Sequence, residues 1–346
     1  MNKKFFMGIA AMAALTLVSC SSDDLNSLSD NSSKNEAISF DGYLGRSAVA
    51  VNGSRGSVLE IADLQKSKDG FGVFGNYNST GGQEFGSNLF NNVKVAYYAS
   101  AETKAWTYSP LKYWPTDGHV DFLAYAPRVD NKQLKGSSID FTVESDAANQ
   151  KDLLWANATS QTKANKTVTF NFKHALAKIG YKVQLNGDYT GTTIKLNKIT
   201  LAGSNDGKGT NKAFYKTGTI DLSYTSTTSS TTKLWTPSEE KQDFEWFSGD
   251  EQLSKTPAVE NPTTKYLFVI PQNFKTGTDQ LYVIVEYTIT YSDNTTVKTK
   301  VCKQLEKEFL QGKAYTINLT IGLTPIEFNA TVDGWGDIED YPITLE

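Results

Sequence analysis

Short runs of alternating apolar and polar residues constrain the fold of this chain more than any other feature. Each run has the two-residue period of a β-strand and is bounded by clusters of Gly, Asn, Asp and Ser. The runs recur about every ten residues, a spacing typical of antiparallel sandwiches. No long segment has a clear helical period, so we expect few and short helices. The sequence thus predicts an all-β protein, with strands that include AISFDGYL (residues 37–44), GFGVFGNY (70–77), TVTFNF (167–172), TVKTKVCKQL (296–305) and IEFNATV (326–332).

The first twenty residues have the pattern of a lipoprotein export signal. The cationic start Met-Asn-Lys-Lys precedes an apolar run over residues 5–19, as in a signal peptide. The run is too short for a comfortable membrane span. It ends in Leu17-Val18-Ser19-Cys20, which resembles the lipobox of bacterial lipoproteins, where the signal is cut before a cysteine that is acylated. The sequence predicts a signal peptide over residues 1–19 and lipidation of Cys20.

A polar segment follows the lipidated cysteine, and residues 20–36 are predicted to form an acylated flexible tether. Its start, Ser21-Ser22-Asp23-Asp24, resembles the acidic tag of lipoproteins on the outer face of the outer membrane in Bacteroides-type bacteria. A segment rich in Ser, Asp and Asn is also what any solvated tether looks like. We expect the protein at the cell outer membrane, exposed at the surface.

About 310 residues remain after the tether, enough for two domains of ordinary size. We expect an N-terminal domain over residues 37–172 and a C-terminal domain over residues 173–346, divided where TVTFNF meets KHALAKIGYKVQL. The formal net charge is −4, and no basic stripe is present, so nucleic acid is not expected as a partner. Cys302 is the one cysteine besides Cys20 and is expected as an inert core or half-buried thiol.

The sequence contains no clear pattern for catalysis, a metal ion or a cofactor. The glycines of residues 70–75 match a nucleotide-binding string, but the loop NYNSTGGQ follows where that motif needs a helix. We therefore expect a glycine-containing strand there. His119 and His174 lack a second His or Cys at metal-ligand spacing, and His174 is expected to be structural. A Ser/His/Asp arrangement stays open, although no nucleophile elbow is visible. We predict no enzyme activity, no cofactor and no metal.

Several strings in a fixed order resemble those of a known family. The order is WTYSPLKYWP, VDFLAYAP, DLLWA, VTFNFKHALAKI, YLFVIPQ and GKAYTINLTI, followed by a trailing strand and Trp335. Together they resemble the fimbrillin family of Bacteroides-type bacteria, the Mfa-like group. The resemblance implies two transthyretin-like antiparallel β-sandwich domains in tandem. It also implies a structural or tip subunit of a surface fimbria, or pilus, that supports adhesion.

The resemblance further implies an assembly mechanism. In that family a trypsin-like, Arg-specific surface protease cuts the lipoprotein after its first strand, and a C-terminal strand of the next subunit fills the groove that is left. Here Arg46, in GRSA after AISFDGYL, is the candidate cleavage site, and Arg55 in GSRG is the fallback. Ile38 and Phe40 of the first strand could face a core. Both arginines could equally be ordinary loop residues.

The C-terminal end, residues 324–346, is the candidate donor segment. Its apolar residues alternate with polar ones, as a strand that fills pockets requires. An ordinary last strand of the same domain would show the same pattern. The implied partners are other pilus subunits in a homo- or heteropolymer, the protease, the outer membrane through the lipid before processing, and host or bacterial surface ligands. The candidate donor residues are Ile326, Phe328, Ala330 and Val332.

A secreted hydrolase stays open but accounts only for the export signal, and the main alternative is a surface glycan-binding lipoprotein that is not polymerised. It accounts for the lipobox, the acidic tag and six tryptophans, since exposed tryptophans can stack on sugars. It leaves the arginines and the alternating C-terminal end unexplained. Within the fimbrial interpretation, the sequence does not separate a stalk, a tip and an anchor subunit.

Overall fold

Regular structure in the computed structural model is almost entirely β-strand. The structure describes residues 37–44, 59–80, 85–100, 104–225, 233–260, 262, 266–323, 327–333 and 343–344. Within these ranges the helical elements are α1 (Ile61–Lys66) and a 3-10 turn at Lys163–Asn165. The prediction of an all-β fold with few, short helices is therefore confirmed for the described residues. No helix among them has the length and apolar character needed to cross a membrane.

The strands are numbered in chain order. Those of the N-terminal part are β1 (Ser39–Leu44), β2 (Phe71–Asn78), β3 (Phe90–Ala99), β4 (Lys104–Thr107), β5 (His119–Ala126), β6 (Ser138–Thr142), β7 (Leu154–Gln161) and β8 (Thr167–His174). Those that follow are β9 (Ala177–Leu185), β10 (Thr193–Ala202), β11 (Phe214–Tyr215), β12 (Thr217–Asp221), β13 (Trp235–Pro237), β14 (Lys241–Gln242), β15 (Phe244–Gln252), β16 (Val259–Glu260), β17 (Leu267–Val269), β18 (Gln272–Asn273), β19 (Tyr282–Thr290), β20 (Thr296–Gln304), β21 (Glu308–Phe309), β22 (Ala314–Ile321), β23 (Glu327–Asp333) and β24 (Ile343–Thr344).

A seven-stranded sheet dominates the N-terminal part, with the strand order β1-β8-β7-β5-β2-β3-β4. Its central strands are buried on both faces: seven of the eight residues of β5 are buried, which explains why VDFLAYA does not alternate. One face packs into a core rich in phenylalanine that includes Phe71 and Phe122. From the other face, Phe74, Leu123 and Tyr125 join the core of the C-terminal part.

The C-terminal part contains two larger sheets. One has the order β16-β9-β22-β23-β24, with β17 also paired to β9, and the other has the order β15-β10-β19-β20. A three-stranded sheet joins β6 of the N-terminal part to β12 and β13. The alternating burial of β22 follows its sequence AYTINLTI, with every second side chain in the core.

Two strand pairs are parallel, whereas the other strand pairs described are antiparallel. β1 runs parallel to β8, and β9 runs parallel to β22. In both cases the first strand of one half of the chain pairs with a late strand of that half. Residues 36–346 form one compact unit. The predicted boundary between residues 172 and 173 lies inside β8, and the division into two tandem domains stays a prediction.

Candidate functional site

The first strand lies at an edge of the seven-stranded sheet. β1 pairs with β8 from Ser39, opposite Thr167, to Leu44, opposite Phe172. On its other side, the Ile38 amide donates a hydrogen bond to the Lys112 carbonyl over 2.8 Å, and Ala37 forms an isolated bridge with Tyr113. The described structure thus holds β1 by one full ladder and by a short clamp at its start.

The apolar face of β1 points into the core. Ile38 and Phe40 are 1% and 4% exposed, as the sequence predicts. The Phe40 ring lies 5.4 Å from that of Phe90, 5.3 Å from Tyr108, 5.4 Å from Phe122 and 5.7 Å from Phe170, measured between centroids. Such edge and offset contacts add to the free energy from burial. The surface beneath β1 is here called the first-strand groove, and it is formed by Phe90, Trp106, Tyr108, Phe122, Phe170 and Phe172.

Tyr108 fixes the main chain of β1 as well as its side chains. Its hydroxyl donates to the Ile38 carbonyl over 2.8 Å and accepts from the Lys112 amide over 3.2 Å. Burial raises the pKa of the Tyr108 hydroxyl above its ordinary value, and the hydrogen bond with the Lys112 backbone opposes that rise in part. The phenol is therefore neutral at physiological pH and serves as a donor.

Gly42 has unused space between two aromatic side chains. A Cβ built there would lie 3.5 Å from the Phe172 ring and 3.6 Å from the Trp106 ring. These are ordinary van der Waals distances, so the groove accepts a methyl group at this position. A larger side chain would extend further toward the two rings.

The opposite face of β1 is polar. The Ser39 hydroxyl lies 2.8 Å from the Thr167 hydroxyl and donates to the Lys166 carbonyl over 3.1 Å. Asp41 is exposed opposite Thr169. β1 is consequently a two-faced strand whose apolar side fills the first-strand groove.

The candidate donor segment pairs within its own chain. β23 runs antiparallel to β22, from Glu327 opposite Thr320 to Asp333 opposite Ala314, and β24 pairs with β23. Phe328, Ala330 and Val332 lie on β23, in a different sheet from β1. Ile326 lies outside the described residues, as do Cys20, Arg46 and Arg55.

Sequence reasoning did not assign a role to the aromatic side chains of the groove. Trp106 and Tyr108 come from WTYSPLKYWP, Phe122 from VDFLAYAP, and Phe170 and Phe172 from TVTFNF. The alternation in TVTFNF places Phe170 and Phe172 on one face. No sequence signal shows that they meet Phe90 and Phe40, because those contacts depend on the parallel pairing of β1 with β8.

The other candidate sites are structural. His174 is buried and lies 2.6 Å from Asp152 (Nδ1 to Oδ2), as expected for a structural histidine. The glycine string lies on β2, as predicted, where a Cβ at Gly72 would approach the Tyr125 ring to 2.6 Å. Among the described residues, no cluster of three or more His, Cys, Asp or Glu side chains could hold a metal ion.

Cys302 and the described tryptophans differ in exposure. Cys302 is exposed, so the expectation of a core or half-buried thiol is wrong. The reason is that β20 is the last strand of its sheet and has mostly exposed side chains. Desolvation raises the pKa of the Cys302 thiol, which keeps it protonated at neutral pH. The described tryptophans are all buried: Trp106, Trp114, Trp155, Trp235 and Trp246.

A sequence profile described as fimbrillin-like matches residues 61–335, which is most of the chain. The chain belongs to the fimbrillin-like family. Fimbrium subunit Fim1C of Phocaeicola vulgatus is 26% identical over 389 aligned positions, which cover 98% of this chain and 98% of that protein. A crystal structure of a fimbrial protein from Bacteroides vulgatus shares the fold with a TM-score of 0.64 and 20% identity, and the match covers 87% of this chain and 100% of that one. The fimbrillin resemblance of the sequence is therefore confirmed.

Proposed function

We propose that this fimbrillin-like chain is a subunit of a surface fimbria and assembles by exchange of its first strand for a donor strand of another subunit. The observation that carries the proposal is the position of β1: an edge strand, parallel to β8, whose Phe40 fills a ring of four aromatic side chains. Removal of β1 would leave an open apolar groove beside an unpaired sheet edge, which is the surface that an added strand binds.

The arginines support a cut directly after β1. The sequence contains three arginines: Arg46, Arg55 and Arg128. Arg46 follows the end of β1 by two residues, and Arg55 also precedes α1. Arg128 is engaged instead, since its Nε donates to the Asn92 carbonyl over 3.0 Å. An Arg-specific protease would therefore detach β1 from the rest of the chain by cutting at Arg46, or at Arg55.

The cut matters because it changes the competition for the groove. Before cleavage β1 is part of the same chain, and its effective concentration at the groove far exceeds that of any separate strand. After cleavage the two strands compete on binding free energy alone. We infer that the uncut chain is a stable monomer and the cut chain an assembly-competent one.

The export features fit the same sequence of events. We propose that residues 1–19 direct export, that Cys20 is acylated, and that the lipid holds the precursor at the outer membrane. A cut at Arg46 then separates the lipid anchor from the subunit. Without the cut, the same lipid would be a permanent tether.

The glycan-binding alternative has less support. The sequence feature that favours it is a set of tryptophans available for stacking, whereas the described tryptophans are buried in the cores. We infer a structural and non-enzymatic role, with other fimbrial subunits as partners and a surface ligand as a further partner in adhesion.

The test uses the chain from Ser21 onward, treated with an Arg-specific protease. We expect one N-terminal cut, at Arg46 or Arg55, followed by a ladder of oligomers on a gel without heating that collapses to monomer on boiling. The double variant Arg46→Ala/Arg55→Ala is the matched control and should stay monomeric. A cut chain that remains monomeric would contradict strand exchange, and a ladder from the control would contradict the need for the cut.

A further inference from the structure

The four-stranded sheet has two open edges. In its order β15-β10-β19-β20, the outer strands β15 and β20 have no second strand partner among the described residues. β20 pairs with β19 along its whole length, from Thr296 opposite Thr290 to Gln304 opposite Tyr282, without a register shift. An outer strand leaves a row of main-chain amide and carbonyl groups unpaired, and those groups can bind another strand.

The two edges carry opposite charge. β20 has the sequence TVKTKVCKQ, with three lysines and no acidic residue. β15 has the sequence FEWFSGDEQ, with three acidic residues and no basic one, and both strands have nine residues. Most of these charged side chains are exposed to solvent: Lys298, Lys300, Glu245, Asp250 and Glu251.

We infer that β20 of one copy of this chain binds β15 of a second copy edge to edge, so that the four-stranded sheet continues from one molecule into the next. The charges select this pairing over the alternatives. Two β20 edges would bring lysines together, and two β15 edges would bring carboxylates together. Like charges on facing strands are destabilising, whereas opposite charges are stabilising. The contact differs from strand exchange at β1, which lies in another sheet.

The strand directions fit this contact. β15 is antiparallel to β10, β10 to β19, and β19 to β20, so β15 and β20 of one molecule run in opposite directions. A second copy placed beside the first in the same orientation therefore presents its β15 antiparallel to β20. When the two nine-residue strands overlap fully, Lys298 lies opposite Asp250. The two surfaces differ and lie on opposite edges of one sheet, so the contact is heterologous and leads to rows of molecules side by side.

The contact should depend strongly on salt. Asp250 already accepts a hydrogen bond from Asn197 over 2.6 Å, and Lys300 donates one to the Asp206 carbonyl over 2.9 Å. Part of the new interaction therefore replaces contacts within each molecule. Exposed charges are screened over about 30 Å in 0.01 M salt and over about 10 Å in 0.1 M salt. We expect association at the lower salt concentration and much weaker association at the higher one.

Self-association of the uncut chain is the quantity to measure. The protein is the chain from Ser21 onward without protease treatment, with Cys302→Ser to prevent disulfide links between copies. Sedimentation velocity over a concentration series in about 0.01 M salt gives the dissociation constant. The matched control is Lys163→Glu/Lys166→Glu, because both lysines are exposed in the turn between β7 and β8. Unfolding curves show that each variant is folded.

Charge reversal on each edge tests the pairing. K298E/K300E makes both edges acidic, and D250K/E251K makes both edges basic. We expect each variant alone to associate about tenfold more weakly than the parent chain. An equimolar mixture should regain association, because it contains an unaltered β15 and an unaltered β20 on different molecules. Net charge alone predicts the opposite for D250K/E251K, since this variant brings the negative net charge of the chain closer to zero.

Four outcomes would overturn the inference: a parent chain that stays monomeric, association that survives either reversal, a mixture that stays monomeric, and an equal loss in the Lys163→Glu/Lys166→Glu control. None of them affects the proposed strand exchange, because the chain is never cut.

Disulfide trapping tests the direction of the two strands. Chains with K298C are mixed with chains carrying D250C, all with Cys302→Ser, and oxidised in low salt. A disulfide requires Cα atoms within about 7 Å, which the antiparallel overlap provides for this pair. E245C replaces D250C as the control, since its position lies near the other end of β15. We expect K298C to link to D250C, and its linkage to E245C to stay at the level found in about 1 M salt. Equal linkage or the reverse preference would overturn the antiparallel contact.

Discussion

At the scale of single residues, Phe40 anchors β1 in the aromatic core. Its ring contacts four others, and its loss would leave a cavity between them. We expect Phe40→Ala to lower the free energy of unfolding of the uncut chain by about 3–5 kcal/mol. The measurement is denaturant unfolding of the chain from Ser21 onward.

Asp41→Ala provides the matched control for that substitution. Asp41 is the neighbouring residue and is exposed on the opposite face. Surface substitutions of this kind change stability by about 0.5 kcal/mol or less. Equal effects of the two substitutions would mean that β1 is not held by its apolar face.

Tyr108 gives the groove a pH dependence. Because burial raises its pKa, the neutral hydroxyl is favoured in the folded chain, and this contribution is complete below the unfolded pKa of about 10. It is lost as the pH rises through the higher folded pKa. We expect Tyr108→Phe to cost about 0.5–1.5 kcal/mol at pH 7 through the lost hydrogen bond to Ile38, and this cost to shrink above pH 10. Unfolding curves of the wild-type chain and of Tyr108→Phe from pH 7 to 11 give the difference between their free energies of unfolding. The contributions of the other tyrosines cancel in that difference. A constant difference across that range would contradict the assignment.

At the scale of elements, the two-residue period of the sequence predicted several strands. AISFDGYL corresponds to β1, TVTFNF to β8 and IEFNATV to β23. β7 was not predicted, because its first residues Leu154, Trp155 and Ala156 are buried consecutively and have no alternation. β15 was not predicted either, because the exposed acidic end of FEWFSGDEQ is held by main-chain pairing with β10 rather than by a buried face.

The groove could be predicted only in part. Ile38 and Phe40 follow from alternation within one strand, and the arginines after β1 are visible in the sequence. The aromatic partners come from strands that are distant in sequence, and a parallel edge pairing leaves no local signal. Cys302 shows the same limit. Its exposure depends on the position of β20 at the edge of a sheet, which the local sequence does not indicate.

Two glycines should respond in opposite ways to the same substitution. Gly42→Ala in β1 places a methyl group in ordinary contact with Trp106 and Phe172. We expect it to stabilise the uncut chain by about 1 kcal/mol and to slow the release of β1 after the cut. Gly72→Ala in β2 is the control: its Cβ would lie 2.6 Å from the Tyr125 ring, so that variant should be destabilised by about 1–3 kcal/mol.

Thermal unfolding measures the change in stability of each variant, and the rate of ladder growth after the cut measures the release of β1. Faster growth from the Gly42→Ala chain would contradict retention of β1 by this contact.

At the scale of the whole molecule, the proposed mechanism gives each copy a groove near the start of its sequence and a candidate donor strand near the end. The recurrence of a parallel pair in both halves, β1 with β8 and β9 with β22, shows that a first strand beside a late strand is a stable arrangement in this fold. A chain with both features can be bound at its groove while it binds another copy by its C-terminal end. Linear growth follows, because the two surfaces differ and each is used once.

Two half-functional chains should therefore form dimers and nothing longer. The first lacks residues 324–346 and is cut with an Arg-specific protease, so it has a groove but no donor. The second carries Arg46→Ala/Arg55→Ala, so it has a donor but retains its first strand. Each alone should be monomeric in size-exclusion chromatography with light scattering, and an equimolar mixture should give a one-to-one dimer.

An unfolding curve of each chain, recorded on a separate sample, checks that removal of β23 and β24 leaves the remaining sheets folded. Growth beyond the dimer would mean that an uncut chain can also accept a strand, and a mixture that stays monomeric would exclude the C-terminal segment as the donor.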